Sequence, residues 1–224
     1  MAVKIIEDYV VISSKHRPGT KRTGFRGVTI HETGNRNAGA SAKSHNTYYH
    51  NLALSNQEPE IGYHYFVDDK EAYLECPLDE IAWTNSDGNG DGNMKTIAVE
   101  ICVNPESNFN IACENGAFIA ANILKINGVN TVVDGLRDKT SGNLWQHFSW
   151  SKKGKNCPET IRNNGLWESF VASVQRQLDL MNNVANPPSD VIYKVQVGAF
   201  KDKSNAEKLS AELAQKGYKN FIVK

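Results

Sequence analysis

The 224 residues carry 25 Lys and Arg against 25 Asp and Glu, so no global attraction to nucleic acid or to an anionic membrane is expected. An apolar fraction of 40% with 22% charged residues fits a soluble globular protein, either one large domain or a medium one with a small companion. No run approaches the roughly 18 apolar residues of a membrane-crossing helix.

The opening segment, MAVKIIEDYVVISSKHRPG, lacks the apolar centre of a secretion signal. Synthesis in the cytoplasm, without a signal peptide, is therefore expected. Next, GFRGVTIHETG reads as a strand over 27–32 closed by Gly34. Alternation puts Val28 and Ile30 on one face and Thr29 and His31 on the other. His31 thus falls at the C-terminal end of the strand, where loops build sites. SAKSHNTYYHNLAL has helical composition, with Tyr48, Tyr49 and Leu52 as its apolar stripe. IGYHYFVDDKEAYLECP reads as a hairpin turning at Asp68, Asp69 and Lys70. Period two places Tyr63 with Tyr65 and His64 with Phe66.

NSDGNGDGNM, residues 85–94, imitates a calcium loop from Asp87 to Gly92. No Glu follows at the twelfth position and no clear helices flank it, so it reads as a mobile surface loop. TIAVEICVN is a strand with Ile97, Val99, Ile101 and Val103 on one face. Glu100 lies on the other face among small residues, and a buried acid is costly unless paired or used. NGAFIAANILKING is a helix ending at Gly128, followed by a short strand over 130–133. WQHFSWSKKGKNCPE is a polar loop, and Pro158 suits the first position of a helical turn. LWESFVASVQRQLDLMNN is a longer helix with Leu166, Phe170, Val174 and Leu178 at helical spacing.

Composition then shifts. MNNVANPPSD reads as a linker, centred on 182–190. The remainder, 191–224, reads as a small βαβ unit: a strand VIYKVQVGAF, a helix capped by Ser204 and stopped by Gly217, and a strand YKNFIVK. Such a unit is too small to be stable alone. The expected architecture is α/β, with a mixed central sheet flanked by helices over 1–181 and the small unit behind it.

Without an export signal, the four cysteines are expected as free thiols, with Cys76, Cys102 and Cys113 buried and inert. Cys157 differs, since Lys155 precedes it in a polar loop and a cation favours thiolate. Zinc takes nitrogen, sulfur and oxygen ligands and leaves one position open when catalytic. His31, His147 and Cys157 are candidates for three such ligands. On chemistry alone, a cysteine hydrolase pairing the Cys157 thiol with a histidine base is equally open.

VTIHETG, IGYHYFVDD, TIAVEICVN and WQHFSWSKKGKNCPETI, in that order, resemble the type 2 zinc amidases. These are the N-acetylmuramoyl-L-alanine amidases of autolysins and phage endolysins, related to the peptidoglycan recognition proteins. The resemblance covers most of residues 1–180 and implies a mixed sheet with a zinc ion in a groove. Carried over by motif, His31, His147 and Cys157 match the ligands. Glu100 matches the catalytic acid, and Tyr63 and Lys155 match the Tyr and Lys near the metal. The implied reaction cleaves the amide between the lactyl group of N-acetylmuramic acid and L-alanine in bacterial peptidoglycan. Retention of the Cys ligand favours an enzyme over a non-catalytic peptidoglycan-binding protein. His64 is expected to be structural, and His16, His45 and His50 match no motif.

YKVQVGAFKDKSNAEKLSAELAQKGYKNFIV resembles the first half of the SPOR domain, which implies binding to glycan strands stripped of stem peptides. An incomplete sheet leaves strand edges exposed, so either the unit is cut short here or two such halves complete each other in a homodimer. The place of action implied is the cell wall, reached after release through a phage holin.

Overall fold

Strands buried on both faces need near-continuous burial along their length. GVTIHE and TIAVEI provide it, every residue of both being buried. They form β2 (Gly27–Glu32) and β5 (Thr96–Ile101), neighbours in a six-stranded sheet that also contains β1 (Lys4–Glu7), β3 (Tyr65–Val67), β4 (Glu71–Leu74) and β6 (Leu144–Gln146). The order is β1-β4-β3-β5-β2-β6. Only the β3–β4 hairpin is antiparallel, so the sheet is mixed, as expected. The computed structural model describes residues 3–55, 60–135, 140–185, 197–218, 220 and 222. The chain divides into two compact units, Met1–Asn186 and Pro187–Lys224.

The helices of the first unit are α1 (Ala42–Ser55), α2 (Asp91–Lys95), α3 (Phe109–Ile126), α4 (His147–Trp150), α5 (Glu159–Asn163) and α6 (Trp167–Ala185). Val28, Ile30, Ile97, Val99 and Ile101 form the main core with the Ala-rich face of α3 and with Phe170, Val174 and Leu178 of α6. Gly116 lets α3 approach closely, since a Cβ there would meet Ile101 at 3.0 Å. The opposite face of the sheet carries Phe66, Tyr73 and Cys102 under α1, with Tyr49 and Tyr63 packed beside them. All four cysteines are free, with Cys113 half-buried and the other three buried. Among the described residues, no helix is long and apolar enough to cross a membrane.

Several sequence expectations shift. The short edge strand β1 was not anticipated, because KIIE is too brief and too exposed to show a pattern. Tyr63 does not share a face with Tyr65: β3 begins at Tyr65, so alternation does not reach back to Tyr63. Tyr63 packs on Phe66 at 5.1 Å and Tyr49 at 5.3 Å between ring centroids, while Tyr65 enters the main core. α3 starts earlier than expected, at Phe109, because Asn108 accepts the Ile111 N–H at 3.2 Å as an N-cap. The expected strand over 130–133 is a single bridge, Asp134 to Leu144.

The segment 85–94 is only partly at the surface: Ser86, Gly88 and Asn89 are exposed. Asn85, Asp87 and Asn93 are buried, and α2 begins within it at Asp91. WQHFSWSKKGKNCPE likewise contains the end of β6 and the turn α4, and Pro158 caps α5 from one position before its first turn. α6 runs on to Ala185, so the linker does not begin at 182.

In the second unit the described element is α7 (Lys203–Gln215). It is preceded by Asp202 at the N-cap rather than Ser204, and Gly217 takes φ +84° just past its end. The expected strand over 191–200 lies outside the described residues up to 196. Residues 197–200 and the described residues after Tyr218 join no ladder.

Candidate metal centre

Parallel strands deliver their C-terminal ends, and the loops after them, to one edge of a sheet, where open α/β folds build crevices. β2 ends in His31 and Glu32, β5 carries Glu100 in register with His31, and β6 runs directly into His147 at the start of α4. Cys157 arrives from the segment between α4 and α5. Glu32 draws that segment in: its carboxylate accepts the N–H groups of Thr160 at 2.8 Å and Ile161 at 2.9 Å, at the start of α5. The Phe148 N–H donates to the Cys157 carbonyl at 2.9 Å, and the Glu32 N–H points at the Cys157 Sγ at 3.5 Å.

The outcome is a buried cluster of His31, His147 and Cys157, with one potential ligand atom from each lying within 4.8 Å of the others. The two imidazole rings are 4.5 Å apart between centroids. His31 Nε2 and His147 Nδ1 are buried with no hydrogen-bond partner. Burial holds the protonation of both rings well below the usual histidine range, His147 down to about 4. Neutral imidazoles with unshared nitrogens, facing a thiol, form a donor set that fits a divalent ion such as zinc. Among the described residues, no other group of His, Cys, Asp and Glu side chains converges in this way.

Glu100 adjoins the cluster, its Oε1 3.5 Å from His31 Nδ1. Its Oε2 is buried and unpartnered. Burial pushes its carboxyl up to about 8, with Lys155 pulling down and Glu32 pushing up more weakly. Burial, then Glu100, pushes the Cys157 thiol up to about 12. Tyr63 and Lys155 both line a cleft of about 450 Å³, together with Trp83, Thr84, Ser86 and Asn93. Burial followed by Glu100 raises the Tyr63 phenol well above its ordinary value. His64 lies apart: its Nδ1 accepts the Ala98 N–H at 3.0 Å and its Nε2 donates to the Glu80 carbonyl at 3.1 Å.

Sequence reasoning did not single out Glu32 or Ser86. Glu32 was legible only as an acid adjoining a candidate ligand. Ser86, whose Oγ is 3.3 Å from His147 Nε2, is exposed, and nothing in its local sequence pointed to a distant histidine.

A sequence model of the family described as N-acetylmuramoyl-L-alanine amidase matches residues 21–160, and one described as SPOR domain matches residues 189–224. The N-acetylmuramoyl-L-alanine amidase XlyA of Bacillus subtilis is 32% identical over 172 residues, covering 77% of this chain and 51% of XlyA. The amidase CwlH of the same organism is 33% identical, covering 77% of this chain and 61% of CwlH. The chain thus spans about half to three fifths of the length of these curated relatives. The solved catalytic domain of XlyA superposes with a TM-score of 0.64 at 31% identity, covering 77% of this chain and 99% of that domain. Because the matched segment runs through more than half of the sequence and includes every residue of the buried cluster, the chain belongs to the N-acetylmuramoyl-L-alanine amidase family.

Proposed function

We propose that this protein is a zinc-dependent amidase that hydrolyses the bond between N-acetylmuramic acid and L-alanine in bacterial peptidoglycan. His31, His147 and Cys157 are its metal ligands. The observation that carries this reading is the convergence of the three buried donor groups beside Glu100.

A zinc ion held there supplies Lewis acidity to the scissile carbonyl and to the attacking water. The remaining steps fall to side chains. Glu100 takes the water proton at Oε2, the oxygen without a partner, and returns it to the leaving amine. Its burial-raised proton affinity suits a base that must later act as an acid near neutral pH. Lys155 and Tyr63, on the cleft wall, donate to the carbonyl oxygen as it gains charge. The burial of Cys157 speaks against a free nucleophile, which needs an accessible thiolate.

Purified protein should clear a cell-wall suspension and release free L-alanine amino termini, and a chelator should stop both. Binding without release would mark a binding module. Inhibition by thiol alkylation with indifference to chelator would mark a cysteine hydrolase.

We further propose that Pro187–Lys224 tethers the enzyme to the wall, its place of action, and pairs with a second copy. Support for pairing is the exposure of Val197, Phe200, Tyr218 and Ile222, with no residue of α7 buried. Sedimentation at micromolar concentration should give a dimer; a strict monomer removes the pairing. If release from the host is through a phage holin, lysis should require its co-expression.

A further inference from the structure

Ser86 is held in a left-handed backbone conformation, φ +58°, which a serine adopts only where its surroundings impose it. The surroundings are a buried polar clamp. Asn93 Oδ1 accepts the N–H of Thr84 at 3.0 Å and of Asn85 at 2.7 Å, and its Nδ2 donates to the Gly88 carbonyl at 2.9 Å. The Asp87 carboxylate closes the loop from the other side, accepting the N–H of Gly92 at 2.8 Å and of Asn93 at 3.2 Å.

The clamp is tied to the elements that carry the metal cluster. Asn85 Nδ2 donates to Thr96 Oγ1 at 3.2 Å. Thr96 Oγ1 lies 2.8 Å from Thr29 Oγ1, which accepts from Trp150 Nε1 at 3.0 Å. Thr29 stands two residues before His31, and Trp150 closes the turn that His147 opens. Packing agrees: a Cβ on Gly92 would fall 2.8 Å from the Trp150 ring. A buried side-chain network of this kind favours one arrangement, although Asn85 Oδ1 itself is without a partner.

What the clamp presents to the cluster is Ser86 Oγ, at 3.3 Å from His147 Nε2. A neutral imidazole carries one proton, and the acceptor at one nitrogen decides which nitrogen is left for a metal. We propose that Ser86 and Asn93 are positioning residues for His147: Asn93 locks the 84–93 segment so that Ser86 receives the Nε2–H, leaving Nδ1 bare toward the ion site. The inference rests on the reading of His31, His147 and Cys157 as ion ligands.

The test has two readouts. In metal-free protein, long-range proton–nitrogen spectra should show His147 protonated at Nε2; a wild-type proton on Nδ1 overturns the proposal. Asn93→Ala should give mixed tautomers and a zinc dissociation constant, measured by chelator competition, about 10- to 100-fold weaker. Ser86→Gly suits the observed φ and removes only the hydroxyl; a smaller weakening, several-fold, is expected because the Asn93 and Asp87 clamp stays intact. A folded Asn93→Ala with wild-type tautomer and affinity overturns the clamp. Should that variant not fold, Ser86→Gly with both readouts unchanged overturns the proposal in its place. A wild type that binds no zinc sinks the metal reading instead, and the metal-free spectra then decide the positioning by themselves.

Discussion

His31 Nδ1 lies 3.5 Å from Glu100 Oε1, and the two residues are register partners on adjacent parallel strands. Partners in register share a face of the sheet, so the ladder itself brings the imidazole and the acid together. A carboxylate beside one imidazole nitrogen orients the ring and leaves the other nitrogen for a metal. Here the other nitrogen, Nε2, is the one without a partner. Glu100 thus turns one oxygen toward His31 and keeps the other buried and without a partner, which is where the proposed function places its acid–base role.

Replacing Glu100 with Gln should separate these tasks. The amide keeps the volume and an oxygen toward His31 but cannot take a proton. Turnover on cell walls should fall by about 10²- to 10⁴-fold, while zinc content stays at one per chain of the variant, measured by elemental analysis. Since the carboxyl is buried with one oxygen unpaired, the thermal midpoint of metal-free protein should not drop. Unchanged turnover removes the acid–base role.

Cys157→Ser removes the thiolate that a soft-ligand site prefers. Ligand binding to the folded state alone raises its stability in proportion to the logarithm of ligand over dissociation constant. Wild-type protein should therefore lose several degrees of melting temperature on chelation. The Ser variant should melt near the chelated wild type and respond little to added zinc. An equal zinc-induced shift in both proteins would exclude Cys157 from the site.

The sheet was legible because it rests on strong local signals, whereas His31, His147 and Cys157 were singled out by their motifs' resemblance to a family and not by spacing. TIAVEI and GVTIHE announce buried strands, and the residues that interrupt their apolar pattern, His31 and Glu100, are those at the site. The second layer was not legible. Asn85, Asp87 and Asn93 have the composition of an exposed loop, yet they are buried because each satisfies backbone groups, a pairing that composition does not reveal. Glu32 was overlooked for the same reason, its partners being backbone N–H groups more than a hundred residues away. The facing of Tyr63 failed because period two holds only inside a strand.

Lys155 and Tyr63 line the same cleft but differ in setting. Lys155 is exposed, whereas Tyr63 is packed among Tyr49, Phe66 and His31. Lys155→Met should lower kcat about 10²- to 10³-fold with KM little changed, as expected for a donor that acts on developing charge. Tyr63→Phe keeps the ring and its packing, so its effect should be smaller and confined to kcat. A larger loss from Tyr63→Phe than from Lys155→Met would reverse the two roles.

Glu32 couples the end of β2 to the start of α5 through two backbone hydrogen bonds. Glu32→Ala leaves those N–H groups without their acceptor, at a cost of about 1–3 kcal/mol in chemical unfolding. It also frees the segment that delivers Cys157, so zinc affinity should fall even though no ligand is altered. Glu32→Gln, which retains an acceptor oxygen, should recover part of both. Zinc affinity unchanged in Glu32→Ala would show that Cys157 is placed by other contacts.

His64 gives the fold a pH dependence whose sign follows from its partners. Its Nδ1 accepts the Ala98 N–H, so the folded ring is neutral, and protonation would set a new N–H against that donor. Burial lowers its pKa from 6.5 to about 4. Between those values the unfolded chain holds a proton that the folded chain refuses. Stability is therefore complete above pH about 6.5 and declines as pH falls toward 4, by a total on the order of 3 kcal/mol. His64→Gln can still accept from Ala98 and donate to Glu80 but does not titrate. Urea unfolding with chelator present, at pH 7.5, 6 and 5, should show the wild type losing stability faster than the variant. The buried His31, His147 and Glu100 contribute to both curves, so the difference between the curves isolates His64, and parallel curves would assign the slope elsewhere.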